Sequence, residues 1–174
     1  KLSKMIIITL SIVLLSFMNV GSSEIGIFYV ALMITIVAGS FASSMAYMVI
    51  PLSSKLMKDL SSSSLRISLS LTAPIVVALI MVPKSILSLI GPEYENAEIL
   101  LIVLSLSIIP ASITVNLVSM LNNLGKSKLI VFSGMVQMAA FLVSFFVLVP
   151  THGTLGMAVS ILISYLASSI LLLI

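Results

Sequence analysis

Six apolar runs, each near the roughly 20 residues that a helix needs to cross a bilayer, are separated by short polar connectors, and no charged residue falls near the middle of any of them. The runs cover approximately 2–20, 25–50, 67–90, 97–121, 129–149 and 154–174. The connectors are rich in helix breakers: Gly21-Ser22-Ser23-Glu24, the polar stretch from Lys55 to Arg66, Gly91-Pro92-Glu93-Tyr94-Glu95-Asn96, Asn122 to Lys128, and Pro150-Thr151-His152-Gly153. Buried β-strands also read as apolar runs, but these are several times strand length. The expected fold is therefore all-α: a polytopic membrane protein whose 174 residues form one unit of six transmembrane helices.

Composition excludes the soluble alternative. Hydrophobic residues make up 60% of the chain and charged residues 7%, against about a quarter charged in an ordinary globular protein. A soluble fold with that balance would expose large oily patches and associate through them. There is no cysteine, which removes disulfides and thiolate metal sites. One histidine and five scattered acids make a metal cluster hard to assemble, and no cofactor is implied.

The first run carries a second reading. Lys1 and Lys4, the apolar stretch from Met5 to Met18, and the small residues Gly21, Ser22 and Ser23 have the layout of a secretory signal peptide. The chain starts without methionine and stops inside an apolar run, so it reads as a fragment of a longer membrane protein.

Lysine and arginine in short loops stay on the cytoplasmic side. With the N-terminus inside, Lys1, Lys4, Lys55, Lys58, Arg66, Lys126 and Lys128 are all cytoplasmic, and of the eight cations only Lys84 falls outside. The reverse orientation would translocate the other seven. A multi-pass protein of the cell membrane with both ends of the segment cytoplasmic is the expectation.

Ionised residues inside a membrane mark proton relays and ion sites; here the interior holds amides, hydroxyls and prolines instead. Gln137 lies near the middle of the fifth run and Asn116 within the fourth. Each either holds helices together by an interhelical hydrogen bond or forms part of the polar wall of a water-filled cavity. Ala38, Ala42 and Ala46, and Gly156, Ser160, Ser164 and Ser168, form small-residue stripes that let backbones approach. Pro74 in the third run and Pro110 in the fourth each remove a backbone hydrogen bond, so both are candidate kinks or hinges; Pro83 sits toward the outer end of the third. In lipid the freed carbonyls need neighbours or water, and interrupted helices often line transport routes.

Two motifs lead nowhere. Gly125-Lys126-Ser127 has the end of a phosphate-binding loop, but Met120 stands where its first glycine belongs and no strand precedes it. His152 sits in a turn without a nearby partner and reads as a solvated histidine. In Pro92 to Leu100, Glu95 and Glu98 share a helix face. The segment reads as a short amphipathic start to the fourth helix at the outer interface, anchored by Tyr94, with carboxylates that either cap the helix or meet a sugar head group.

Four stretches together resemble the C-terminal half of the polysaccharide-biosynthesis flippases, in the superfamily that includes multidrug/toxin extruders and peptidoglycan lipid flippases. They are Gly21 to Ala31 with Tyr29, Gly91 to Ala97, Asn122-Asn123-Leu124-Gly125-Lys126, and Pro150 to Ala158. The resemblance implies one six-helix lobe of a two-lobe transporter, the other lobe preceding Lys1. It implies transfer of a lipid-linked oligosaccharide or polysaccharide precursor from the cytoplasmic to the outer leaflet by alternating access. Asn116, Gln137 and Tyr29 are then candidates for the substrate pathway. The implied partners are the bilayer, a polyprenyl-linked oligosaccharide and the N-terminal lobe, with no nucleic acid. Basic residues that hold the diphosphate in such flippases are missing from these runs and would belong to the other lobe. A cation-coupled drug exporter of the same superfamily is the nearest alternative, although its intramembrane acids are not here. A polysaccharide-assembly enzyme would need a large outer loop with catalytic residues, so no enzymatic activity is expected; a structural membrane subunit is the remaining alternative.

Overall fold

The computed structural model describes the backbone of residues 2–18, 20–56 and 61–173, and the side chains of 7–18, 20–41 and 65–173. All regular structure among the described residues is helical: α1 (Leu2–Phe17), α2 (Ser22–Leu56), α3 (Ser61–Met81), α4 (Pro83–Ser88), a 3-10 turn (Pro92–Ala97), α5 (Glu98–Leu106), α6 (Ile108–Asn123) and α7 (Ser127–Leu173). Three helical stretches are long and apolar enough to cross a bilayer: Ser22–Phe41, Pro92–Asn123 and Ser127–Leu173. Two shorter apolar helices, Ile7–Phe17 and Leu65–Met81, accompany them. Length and composition thus make this an all-helical, membrane-embedded protein.

The division into six differs in detail from the expected one. The second and fourth runs are long spans. The first and third, taken alone, fall short of a full crossing, and the fifth and sixth are two helices parted only by the non-helical Gly153, with no longer connector between them. The polar stretch expected as a connector from Lys55 begins later, because α2 continues to Leu56. Lys1 and Lys58 lie outside the described residues, and the side chains of Lys4, Ala42, Ala46 and Lys55 outside the described side chains.

The bend in α7 falls at one residue. Pro150, Thr151 and His152 stay helical, and Gly153 alone leaves the helix, with φ 54° and ψ −128°. That region is strained for any residue with a Cβ. Just beyond it, a Cβ built on Gly156 would lie 2.6 Å from the carbonyl carbon of Leu148 and 2.9 Å from the amide nitrogen of Val149. Positions eight apart on a straight helix are about 12 Å apart, so the chain has folded back on itself here. The hairpin buries Phe141, Phe145 and Val149 in the same core as Met157, Ala158 and Ile161.

α3 and α6 run antiparallel, in register. Ser68 meets Asn116, Thr72 meets Ser112, and Val76 packs in one cluster with Ile108; four residues forward on α3 are four residues back on α6. Of the three long stretches Pro92–Asn123 is the most enclosed, with 50% of its apolar window buried against 28% for Ser22–Phe41 and 22% for Ser127–Leu173. The α5–α6 stretch is therefore the central strut. Phe17, Leu89, Met135, Val143, Phe146 and Val147 point outward, an exposure that hydrocarbon solvates and water does not.

The charges separate by end. Glu24 reaches the bend, its Oε2 4.0 Å from a Cβ built on Gly153. Lys84 and Glu98 pair at 4.0 Å, and the 3-10 turn that carries Glu93 and Glu95 packs against α2 and α4. Arg66, Lys126 and Lys128 belong to the other end of the α3–α6 pair, beyond Ser68 and Asn116. The Lys84–Glu98 pair is exposed and long, and contributes little to stability.

Candidate functional site

The hydrogen-bond ladder of the central strut is interrupted, although Ser107 keeps helical angles (φ −68°, ψ −18°). α5 ends at Leu106 and α6 starts at Ile108, with Ser107 between them. Pro110 has no N–H, so the carbonyl of Leu106 loses its donor from one turn ahead. Ser107 turns the chain tightly: its amide donates to the carbonyl of Leu104 at 3.0 Å and its hydroxyl to the same oxygen at 2.5 Å. The helix resumes with the Ala111 amide donating to the Ser107 carbonyl at 3.0 Å.

A cavity of about 50 Å³ lies beside this joint, where α1, α2, α5–α6 and the last arm of α7 converge. Its walls are chiefly aliphatic, and hydroxyl-bearing residues interrupt them: Thr35 from α2, Ser107 and Ser112 from the strut, and Tyr165 from α7. Small-molecule sites run to about 300 Å³ and more, so a sugar head group does not fit. Water does, since one molecule needs only about 10–15 Å³ of such space.

Asn116, expected either to tie helices or to line a cavity wall, ties helices. Its Nδ2 donates to Ser68 Oγ on α3 and to the Ser112 carbonyl one turn back, both at 2.9 Å. Ser68 and Ser112 are 3.0 Å apart and Thr72 and Ser112 3.3 Å, and the Thr72 hydroxyl also donates to the Ser68 carbonyl at 2.7 Å. This cluster joins α3 to the strut and satisfies its own buried polar groups.

Gln137 is buried in the first arm of α7, and its Nε2 has no hydrogen-bond partner among the described residues; the hydroxyls of Ser105 and Ser168 are in the same state. The bend at Gly153 sets Gln137 and Ser168 about equally far from the turn, on opposite arms. Tyr29 is apart from both. It lies on the outer side of α2 in an open apolar groove with Val37, Phe41 and Ile90. The three pathway candidates thus occupy three different places.

The prolines also differ. α3 runs through Pro74 from Ser61 to Met81, and the third segment breaks instead at Val82 (φ −131°, ψ 46°), ahead of Pro83 at the start of α4. In the fourth, the break lies three residues before Pro110. The stripe Gly156, Ser160, Ser164 and Ser168 is buried. The Ser160 and Ser164 hydroxyls donate to carbonyls of their own helix, Gly156 and Ile161, both at 2.7 Å, leaving compact surfaces for packing.

Sequence reasoning passed over Ser68, Thr72, Ser107, Ser112 and Tyr165. A signal existed for the cluster: Ser68 and Thr72, and Ser112 and Asn116, are polar pairs at four-residue spacing in otherwise apolar runs. No group of three or more His, Cys, Asp or Glu side chains that could hold a metal occurs among the described residues. Joint, cavity and cluster together bring hydroxyls and one amide beside an interruption in a central helix, with room for water. Comparison with known protein families, with curated proteins and with solved structures yields no match.

Proposed function

We propose that this chain is one six-helix lobe of a membrane transporter that carries a lipid-linked oligosaccharide, or a related polysaccharide precursor, from the cytoplasmic to the outer leaflet by alternating access. The observation that carries the reading is the Ser107 joint. Its helix is the most enclosed of the long stretches, yet its hydrogen-bond ladder is interrupted next to a cavity. A helix that only anchors gains from being continuous and closely packed. One that must change shape between inward-open and outward-open states gains from a break and from slack beside it.

Six crossings fit this reading. α3 and α4 together make the third, α5 and α6 the fourth, and the two arms of α7 the fifth and sixth. α1, at about 24 Å, spans with local thinning of the bilayer. The cations favour both ends inside, and the separation of charges between the two ends supports the same order. The head group, too large for the cavity within the lobe, would be sheltered between this lobe and a second one, while its lipid tail stays in hydrocarbon. Such shelter matters because each polar group stripped of hydrogen bonds in the membrane costs several kcal/mol. The five acids lie away from the helix centres, which favours this reading over a cation-coupled exporter. Short outer connectors leave no place for the active site of an assembly enzyme.

The test is leaflet accessibility of a fluorescent polyprenyl-diphosphate oligosaccharide in vesicles reconstituted with the full-length protein. Transfer well above protein-free vesicles is expected. A transfer rate equal to that of empty vesicles, for monodisperse protein of verified orientation, would sink the proposal.

A further inference from the structure

Tyr165 is left unexplained by packing alone. The residue is only 8% exposed, and among the described residues its hydroxyl has no hydrogen-bond partner. Buried tyrosine hydroxyls ordinarily find one. The ring lines the cavity at the Ser107 joint, together with Thr35 and Ser107. Those two hydroxyls have each committed their single proton, Thr35 to the Ala31 carbonyl at 2.8 Å and Ser107 to the Leu104 carbonyl. Toward the cavity they offer lone pairs only, whereas Tyr165 offers a proton and a lone pair.

A space walled by these groups calls for an occupant that both donates and accepts and that is very small. An alkyl chain would leave the Tyr165 hydroxyl unmet and the remaining lone pairs of Thr35 and Ser107 unused. We propose that the cavity is an internal water site, in which ordered water, roughly three molecules by volume, links the Tyr165 hydroxyl to Thr35 and Ser107 at the break in the central helix. The site needs only that the protein be embedded in a bilayer, and it stands whether or not the lobe belongs to a transporter.

X-ray hydroxyl-radical footprinting of the full chain in lipid nanodiscs tests it, because radicals formed from bound water oxidise the side chains beside it. After correction for intrinsic reactivity, Tyr165 is expected to be oxidised several-fold faster than Phe141 and Phe145, which are buried at 0% and 1% exposure and do not line the cavity. Gly39 does line it, and among the described residues a Cβ added there would meet only Ile108 Cγ2 at 3.9 Å. Gly39→Leu should therefore fill the space and bring Tyr165 down to the rate of Phe141. A wild-type Tyr165 rate equal to that of Phe141 overturns the proposal, as does a fast rate that persists in Gly39→Leu. Where Gly39→Leu is not monodisperse, Gly39→Ala replaces it: a lowered rate supports the water site and an unchanged one overturns it.

Discussion

Beside the Gly153 bend the two arms of α7 close on one another with no room for a methyl group at Gly156, whereas at Ser107 α5 and α6 meet beside a cavity. The first bend is made by backbone alone. One glycine adopts a conformation that other residues resist, and a second accepts the carbonyl of Leu148 against its Cα. The second bend is made by a missing donor at Pro110 and a serine that tightens the turn. A bend with no slack has one geometry, because close-packed interfaces do not deform continuously. A bend with slack and hydroxyls around it can take more than one. The comparison assigns a fixed corner to the hairpin and a movable joint to the strut.

Loading each bend with a side chain gives the largest expected difference. Gly156→Ala puts a Cβ into the Leu148–Val149 backbone, so the hairpin must open or shift. A loss of about 3 kcal/mol or more is expected, at the upper end of overpacking costs, measured by reversible unfolding in mixed micelles. Gly39→Ala at the joint should change stability by less than about 0.5 kcal/mol. If the two substitutions cost the same, the contrast between tight and slack bends fails.

The cluster that flanks the joint comes next. Asn116→Ala removes the amide that bridges α3 to α6 and is expected to cost about 1 kcal/mol, the usual size of an interhelical hydrogen bond in a membrane. Ser68→Ala with Asn116→Ala in a double-mutant cycle should show coupling, since the two side chains share one bond. Strict additivity would mean that the bond carries no energy.

Gln137 belongs to the tight region, and its expected effect has the opposite sign. Its Nε2 is buried without a partner among the described residues, and such a group carries a desolvation penalty that an apolar replacement removes. Gln137→Leu should raise stability by about 1 kcal/mol. On the transporter reading it should also slow transfer, because a group kept at a cost to stability is kept for a purpose. A variant that is less stable than wild type would show that the amide has a partner in the membrane.

What the sequence reveals of these two bends, and what it hides, has a physical origin. Apolar run length is a local property, so the helical segments and most connectors can be read directly. The Gly153 bend is also local, yet the run Pro150-Thr151-His152-Gly153 points to a four-residue turn where one residue suffices. Pro150 stays inside the helix, and Thr151 nearby donates its hydroxyl to the Leu148 carbonyl at 3.1 Å. Pro74 and Pro110 look equivalent in sequence. They differ because α3 is held to α6 just before Pro74, through Ser68 and Thr72, whereas the strut at Pro110 has a cavity beside it. The cluster joins residues 48 apart, and the cavity is shaped by four segments. Neither depends on any one stretch of chain, which is why Tyr165 and Ser107 drew no attention.

Pro110→Ala addresses the movable joint with the smallest expected change in stability. Alanine restores an N–H for the Leu106 carbonyl and is the better helix former by about 3 kcal/mol in a regular helix interior. Most of that gain is not available here. The walls of the cavity, the Ser107 turn and the α3 cluster are fitted to a broken strut, and straightening it would disturb them. A net change within about 1 kcal/mol is expected. The dynamics should move more than the stability. With the extra hydrogen bond, amide exchange at Ser107 and its neighbours through Ala111 should slow, because local opening at the break is suppressed. Exchange around Gly153 should stay as it was. If both regions slow together, the substitution has stiffened the whole lobe and the joint is not independent of the corner. If neither slows, Pro110 is not what keeps the strut open, and the break belongs to Ser107 and the cavity beside it.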